Sequence, residues 1–134
     1  MDKTLNIKFY QNLGKLFYAI AASDKVVKKE EFDKLKEIVK KEWLSSNFIE
    51  NSLKSNAEAS IINTFNWLNY DSEYDSEACY KSFIAFKKEN EQLFTDSLNI
   101  LIIKTAGAIA TSFSGINKQE LIMLTKLKLE LFKK

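Results

Sequence analysis

The chain has 134 residues, which is enough for one domain with a substantial hydrophobic core. Its 46% hydrophobic and 13% aromatic residues are typical of a globular protein and exclude a disordered one. The net charge is +2. The chain has no Arg, which disfavours specific nucleic-acid recognition. It also has no His, which excludes catalysis by His and His-ligated zinc sites.

Hydrophobic residues recur at helical spacing along the whole chain, and no strand pattern competes with them. We expect one domain over residues 1–134 that is an all-α bundle of six helices. The predicted helices span about 5–22, about 29–43, from 55 to an acidic loop at 70–77, about 76–90, about 96–113 and from 117 onward. The residues predicted to face the core are Phe9, Leu13, Leu16, Phe17 and Ile20 in the first helix, Phe32, Leu35, Ile38 and Val39 in the second, Ala57, Ile61, Phe65 and Leu68 in the third, Cys79, Phe83 and Phe86 in the fourth, and Leu121, Leu124, Leu127 and Leu131 in the sixth.

The fifth helix differs from the others because it is apolar on nearly every side. Thr95 or Asp96 caps it, and Lys104 is the only charged residue that follows the cap. A helix that is hydrophobic all round is normally buried, so we expect this helix to be the central one.

The chain carries the same short pattern near both of its ends. Residues 19–35 and 108–124 align without a gap, and such an internal repeat predicts two equivalent helix pairs related by a pseudo-twofold axis. The identical pairs are Ala19/Ala108, Ile20/Ile109, Ala21/Ala110, Ser23/Ser112, Lys29/Lys118, Glu31/Glu120 and Leu35/Leu124. Small residues such as Ala22, Gly107 and Ala108 end the first helix of each pair, which suggests that helices one and five cross closely; chance Ala-richness is the alternative.

The loop of the first copy carries a resemblance to a known family. Asp24, Val27 and Glu31 follow an Ala-Ala-Ser run, and this spacing resembles the A-x-A-D-G-x-V-x-x-x-E pattern of TerB-like (tellurite resistance TerB) domains. The second copy, with Ile116 and Glu120, resembles the matching half of that fold. The resemblance implies an all-helical domain that acts as a binding or regulatory module in tellurite resistance or stress response.

The resemblance also implies a possible metal surface, because acidic residues at these loops are the suspected ligands in relatives. The candidate metal ligands are therefore Asp24, Glu31 and Glu120. However, Lys25 replaces the family's Gly and Phe113 replaces the second Asp, so we expect at best weak divalent-cation binding and no other cofactor. In the alternative interpretation, Asp24 shapes its turn, and each Glu is the third residue of a helix and reaches back to the helix entry.

A second acidic segment, residues 70–77, places carboxylates at alternate positions but lacks the Gly and the spaced Glu of an EF-hand loop. We expect its acids to stabilise the N-terminus of the fourth helix instead.

Cys79 is the only cysteine, so the chain forms no internal disulfide, and a reducing, cytoplasmic location is expected. No apolar run is long enough for a membrane span.

No constellation of catalytic residues is recognisable in the sequence, so we expect a non-enzymatic protein whose partners are other proteins. The alternative is a divalent-ion-binding or sensing protein that uses the acidic loop residues. The oligomeric state does not follow from the sequence.

Overall fold

In a computed structural model, the described part of the chain is an all-α bundle with no strand. The structure describes residues 7–23, 27–43, 54–71, 75–112 and 118–132, without the side chains of 54–56 and 71. The six α-helices are α1 (Ile7–Ala21), α2 (Lys29–Ile38), α3 (Lys54–Asp71), α4 (Ser76–Glu89), α5 (Asp96–Ala110) and α6 (Lys118–Leu131). The predicted all-helical fold class and number of helices are thus confirmed. Within the described ranges, no helix is long and apolar enough to cross a membrane.

Two short helical segments adjoin these helices; the predicted second helix over about 29–43 includes the first of them, but neither its π-helical form nor the second segment was predicted. The chain continues past α2 as a π-helix over Val39–Trp43, and a 3₁₀ turn over Glu91–Leu93 precedes α5. The π-helical turn places Trp43 in the core, where its indole Nε1 donates a hydrogen bond of 2.9 Å to Thr105 Oγ1. The Thr105 hydroxyl in turn donates to the carbonyl oxygen of Leu101 at 2.9 Å. This chain of hydrogen bonds ties the end of the α2 segment to α5.

Side-chain caps fix the starts of α4 and α5. Thr95 Oγ1 accepts a hydrogen bond from the backbone N–H of Leu98 at 3.2 Å, which satisfies one of the unpaired donors of the first turn. Asp75 Oδ2 accepts from the N–H of Ala78 at 3.1 Å in the same way. Thr95 is therefore the cap of α5, and Asp96 is its first residue.

The central helix of the bundle is α1, whereas the sequence predicted α5. α1 packs against all five other α-helices, most extensively against α3 and α4. Hydrophobic residues on every side of α1 are buried, and Ile7, its first residue, is the only exposed one. α5 contacts α1, α2 and α6, but its outer face carries the exposed Ile100 and Lys104. The prediction that α5 is central was therefore wrong, because it relied on the apolar composition of the helix alone.

α1 and α3 cross closely at Gly14. A Cβ added there would lie 2.8 Å from the carbonyl oxygen of Ile61 and 2.8 Å from Thr64 Cβ, so only glycine fits. A Cβ added to Gly107 would meet no atom within 4 Å. The predicted packing role of Gly107 is therefore wrong, because this residue borders the outer face of α5 and not a helix crossing.

The two halves of the repeat pack reciprocally. The second helix of each pair contacts the first helix of the other, so that α2 lies on α5 and α6 lies on α1, while α1 and α5 also touch. The helix ends are alike in detail: Ser23 Oγ donates to the carbonyl oxygen of Ile20 at 2.9 Å, and Ser112 Oγ donates to that of Ile109 at 2.8 Å. The equivalent serines of the two copies therefore make equivalent hydrogen bonds.

Most residues predicted to face the core are buried in one hydrophobic cluster, and Phe32 is partly buried and stacks on the ring of Phe65 at 5.3 Å. Leu121 is an exception, because it is half exposed on the outer side of α6. The inner face of α6 is formed instead by Met123, Leu124, Leu127 and Leu131, together with Glu120.

Candidate functional site

The first half of the candidate site is the N-terminus of α2. Glu31 is the third residue of this helix, and its Oε1 accepts a hydrogen bond of 2.8 Å from the backbone N–H of Lys28. A Glu at this position commonly reaches back in this way, since the N–H groups of the first turn lack partners within the helix. The expectation that Glu31 returns to the helix entry is therefore confirmed. Unlike most capping carboxylates, the side chain is almost fully enclosed, with 2% of its surface exposed.

The second half is the N-terminus of α6, where Glu120 occupies the equivalent third position. Glu120 is 1% exposed, and its side chain lies close enough to that of Glu31 for a hydrogen bond between the two carboxyl groups to contribute to the raised pKa of Glu31. The structure thus brings together two of the three predicted ligand residues, one from each copy of the repeat. Two carboxyl groups can share a hydrogen bond only when one of them is protonated, so the pair holds a proton.

The surroundings of the pair favour this protonated state. Burial away from water raises the pKa of Glu31 from 4.5 to about 8, and the hydrogen bond with Glu120 adds to that rise. The N–H of Lys28 acts in the opposite direction because it stabilises the charged carboxylate. Because its pKa is raised, Glu31 tends to keep its proton at neutral pH in the core of the bundle.

This arrangement limits the chemistry that the pair can perform. Two carboxyls that share a proton can serve in acid–base catalysis, but the acid or base must reach its substrate within hydrogen-bond distance. Side chains that are 2% and 1% exposed cannot touch a substrate of ordinary size. A proton or a small cation is the kind of species that could exchange at this position.

The remaining metal-site predictions are only partly covered by the structure. Asp24 lies outside the described residues, as do Lys25 and Phe113. In the ranges that the structure describes, no three His, Cys, Asp or Glu side chains are grouped so that they could hold an ion. In the acidic segment, Asp75 caps α4 and Glu77 lies 3.6 Å from Lys126 of α6. Asp75 thus has the helix-stabilising role that the sequence suggested.

Sequence reasoning missed a second polar cluster, which lies at the opposite end of α6. Lys87 is 5% exposed, and its Nζ donates to the carbonyl oxygen of Glu130 at 2.9 Å. The buried Asn99 donates through Nδ2 to the carbonyl oxygen of Leu131 at 3.0 Å. These groups satisfy carbonyls that the end of a helix leaves without partners, and the Lys87 charge complements the negative end of the helix dipole. A Lys beside an apolar run gives no sequence signal of burial.

The chain matches no protein-family model, no curated protein and no solved structure. The described part of the chain is an all-α bundle in which two repeat-related helix pairs pack on each other and α3 and α4 pack on α1. The TerB-like resemblance rests on the residues of the repeat.

Proposed function

We propose that the chain is a TerB-like binding or regulatory module of the tellurite-resistance or stress-response type, and that it has no enzymatic activity. The observation that carries this proposal is the buried pair of Glu31 and Glu120. These are the two residues that match the family's helix-starting Glu in the two copies of the pattern.

The burial of the pair supports a non-enzymatic role. No substrate can contact the two carboxyls, whereas their hydrogen bond links the starts of α2 and α6 and so couples the two halves of the bundle. A group that links two halves of a fold can change their packing when it gains or loses a proton, which is how buried titratable groups act in regulatory proteins.

The proposed function can be tested by tellurite challenge of cells that produce the full chain. We expect the wild-type protein to raise the tellurite concentration that the cells tolerate, and the double variant Glu31→Gln/Glu120→Gln to abolish this gain. Glu30→Gln is the matched control, because Glu30 is adjacent but exposed. Circular dichroism of the purified variants verifies that they are folded. A wild-type chain that leaves tolerance unchanged would contradict the assignment to tellurite resistance.

A second candidate function is divalent-ion binding or sensing, which the meeting of two carboxyls from separate repeats favours. Because the pair holds a proton at neutral pH, an ion would have to displace it, and affinity should rise with pH. Ca²⁺ and Mg²⁺ prefer several oxygen ligands, so two carboxyls alone make a weak site.

Thermal melting with and without millimolar Ca²⁺ or Mg²⁺ tests this second candidate. A ligand at about one hundred times its Kd stabilises the folded state by about 2.7 kcal/mol, so a site tighter than about 10 μM would raise the melting temperature clearly. We expect little or no shift at pH 7. A shift that Glu31→Gln or Asp24→Asn removes and Glu30→Gln keeps would establish the ion site. A shift in melting temperature that only Asp71→Asn and Asp75→Asn remove would place the ion site in the acidic segment.

A further inference from the structure

The outer face of α6 is unusually apolar for a surface helix. Of the eight large hydrophobic side chains that are exposed in the described residues, four belong to this helix and its last turn. They are Leu121, Ile122, Leu129 and Phe132, and between 43% and 68% of each is exposed. Phe132 continues the helical turn, since its N–H bonds to the carbonyl oxygen of Lys128 at 3.1 Å. A contiguous apolar patch on a surface often marks a site of interaction.

These four side chains form one stripe along the helix, which the exposed Thr125 interrupts. At 100° per residue, Leu121, Ile122, Leu129 and Phe132 fall within about 100° of the helix circumference, on the side opposite the buried Leu127. The stripe extends over three turns. A core-facing role cannot explain it, because α6 already buries a different set of residues on its inner side.

Lysines surround this stripe. Lys128 falls on one edge of it, Lys126 on the other, and Lys118 lies at its N-terminal end; all three are exposed. Lys126 also lies 3.6 Å from Glu77 and 5.7 Å from the centre of the Tyr80 ring, but exposed ion pairs of this kind are weak and exchange readily. The helix has one exposed-side acid, the half-buried Glu130, whereas residues 118–134 contain five Lys and two Glu. The middle of the face is therefore mainly apolar, with Thr125 as its polar residue, and lysines lie at both edges, of which Lys126 is paired with Glu77.

The shape of the face distinguishes between possible occupants. Partner helices usually dock in a groove between two helices, but among the described residues the depression beside Leu129 is lined by α6 alone. A second copy of this chain would bring lysines against lysines, which opposes self-association. A helix with an exposed apolar stripe and flanking lysines has the features of one that lies flat on an anionic bilayer, with its lysines at the phosphates.

We propose that the outer face of α6 binds the chain to anionic lipid surfaces. Leu121, Ile122, Leu129 and Phe132 enter the boundary between headgroups and acyl chains, and Lys118, Lys126 and Lys128 contact the lipid phosphates. This peripheral attachment requires no membrane-spanning helix, and it leaves the buried Glu31–Glu120 pair unchanged.

Co-sedimentation of the full chain with lipid vesicles tests the proposal. The vesicles consist of phosphatidylcholine alone or of phosphatidylcholine with about one third phosphatidylserine. We expect binding to the anionic vesicles that weakens as salt is added, and little binding to the neutral ones. The double variant Leu129→Gln/Phe132→Gln should lower the partition coefficient by about tenfold or more, and Lys128→Glu should lower it by a similar factor.

Matched controls separate the α6 face from general surface effects. Tyr70→Gln removes an 88% exposed aromatic residue from α3, and Lys40→Glu makes the same charge change on an exposed site after α2. Both controls should bind vesicles like the wild type. All of the substituted side chains are exposed, so folding should be retained, and circular dichroism verifies this.

Several outcomes would overturn the proposal. These are no binding to anionic vesicles, equal binding to neutral vesicles, or binding that the two α6 variants retain. In another outcome, the chain binds a synthetic helical peptide that carries a stripe of Leu flanked by Glu, and does not bind vesicles. That result would show that the face serves a protein partner. A dimer in light scattering that becomes a monomer in Leu129→Gln/Phe132→Gln would show that it joins two copies of the chain.

Discussion

Gly14 of α1 lies directly against the backbone of Ile61 in α3, so that a Cβ on Gly14 would be 2.8 Å from the Ile61 carbonyl oxygen. Real side chains almost never approach a backbone atom so closely, and a carbonyl within a helix cannot move aside without loss of its own hydrogen bond. This contact fixes how closely the central helix can approach α3, its most extensive partner.

The two glycines therefore predict opposite responses to the same substitution. Gly14→Ala should destabilise the fold, because overpacking of about 1–3 kcal/mol exceeds the gain of about 1 kcal/mol from better helix propensity. Gly107→Ala should stabilise by about 0.5–1 kcal/mol, since a Cβ there meets no atom within 4 Å. Urea denaturation of both variants measures the difference. Equal shifts of the two midpoints would contradict the close crossing at Gly14.

The anchoring of the C-terminus of α6 leads to a second prediction. Lys87→Met keeps much of the apolar stem but removes the charged donor to the Glu130 carbonyl, which should cost about 1.5–3 kcal/mol. Lys88→Met is the matched control, because Lys88 is exposed and should be nearly neutral. Urea denaturation compares the two variants. If Lys87→Met proves as stable as Lys88→Met, the buried lysine does not anchor the helix.

The Glu31–Glu120 pair predicts a dependence of stability on pH. The folded protein binds the proton of Glu31 with a pKa of about 8, whereas the ordinary value is 4.5. Because the folded state binds this proton more tightly, the stabilisation is complete below about pH 4.5 and is lost as the pH rises through about 8. The unfolding free energy should thus fall across this window by at most about 1.4 kcal/mol per pH unit.

Glu31→Gln should remove most of this fall, since an amide resembles the protonated acid and does not titrate. Glu30→Gln removes a neighbouring exposed carboxyl and should leave the fall in place. Unfolding free energies at several pH values from about 5 to 9 compare the three proteins. A wild-type protein that gains stability over this range relative to Glu31→Gln would reverse the predicted sign.

The helical fold and the role of Glu31 at its helix entry could be predicted from sequence because they depend on local patterns. The alternation of apolar residues marks helices, and a Glu three positions into a helix has a defined role at its entry. The repeat also placed Glu31 and Glu120 at equivalent positions. That their side chains touch could not be predicted, because it depends on how α2 and α6 pack across the bundle.

The errors have a common physical cause. α5 and α6 are apolar on more than one side, so periodicity alone cannot decide which side faces the core. Leu121 was therefore placed inside although it is half exposed, and α5 was placed at the centre that α1 occupies. Gly14 marks the close contact between α1 and α3. A lone glycine within a predicted helix does not reveal which other helix approaches it closely.

The central claim is that two carboxyls from the two repeats share a proton inside the bundle. Carbon-13 NMR titration of the Glu side-chain carboxyls in the full chain measures this directly. We expect the Glu31 carboxyl to titrate near pH 8, and we expect this step to move to lower pH in Glu120→Gln because the second carboxyl no longer adds to the rise. If every Glu carboxyl instead titrates near the ordinary value of about 4.3, the two side chains do not share a proton and the account is wrong.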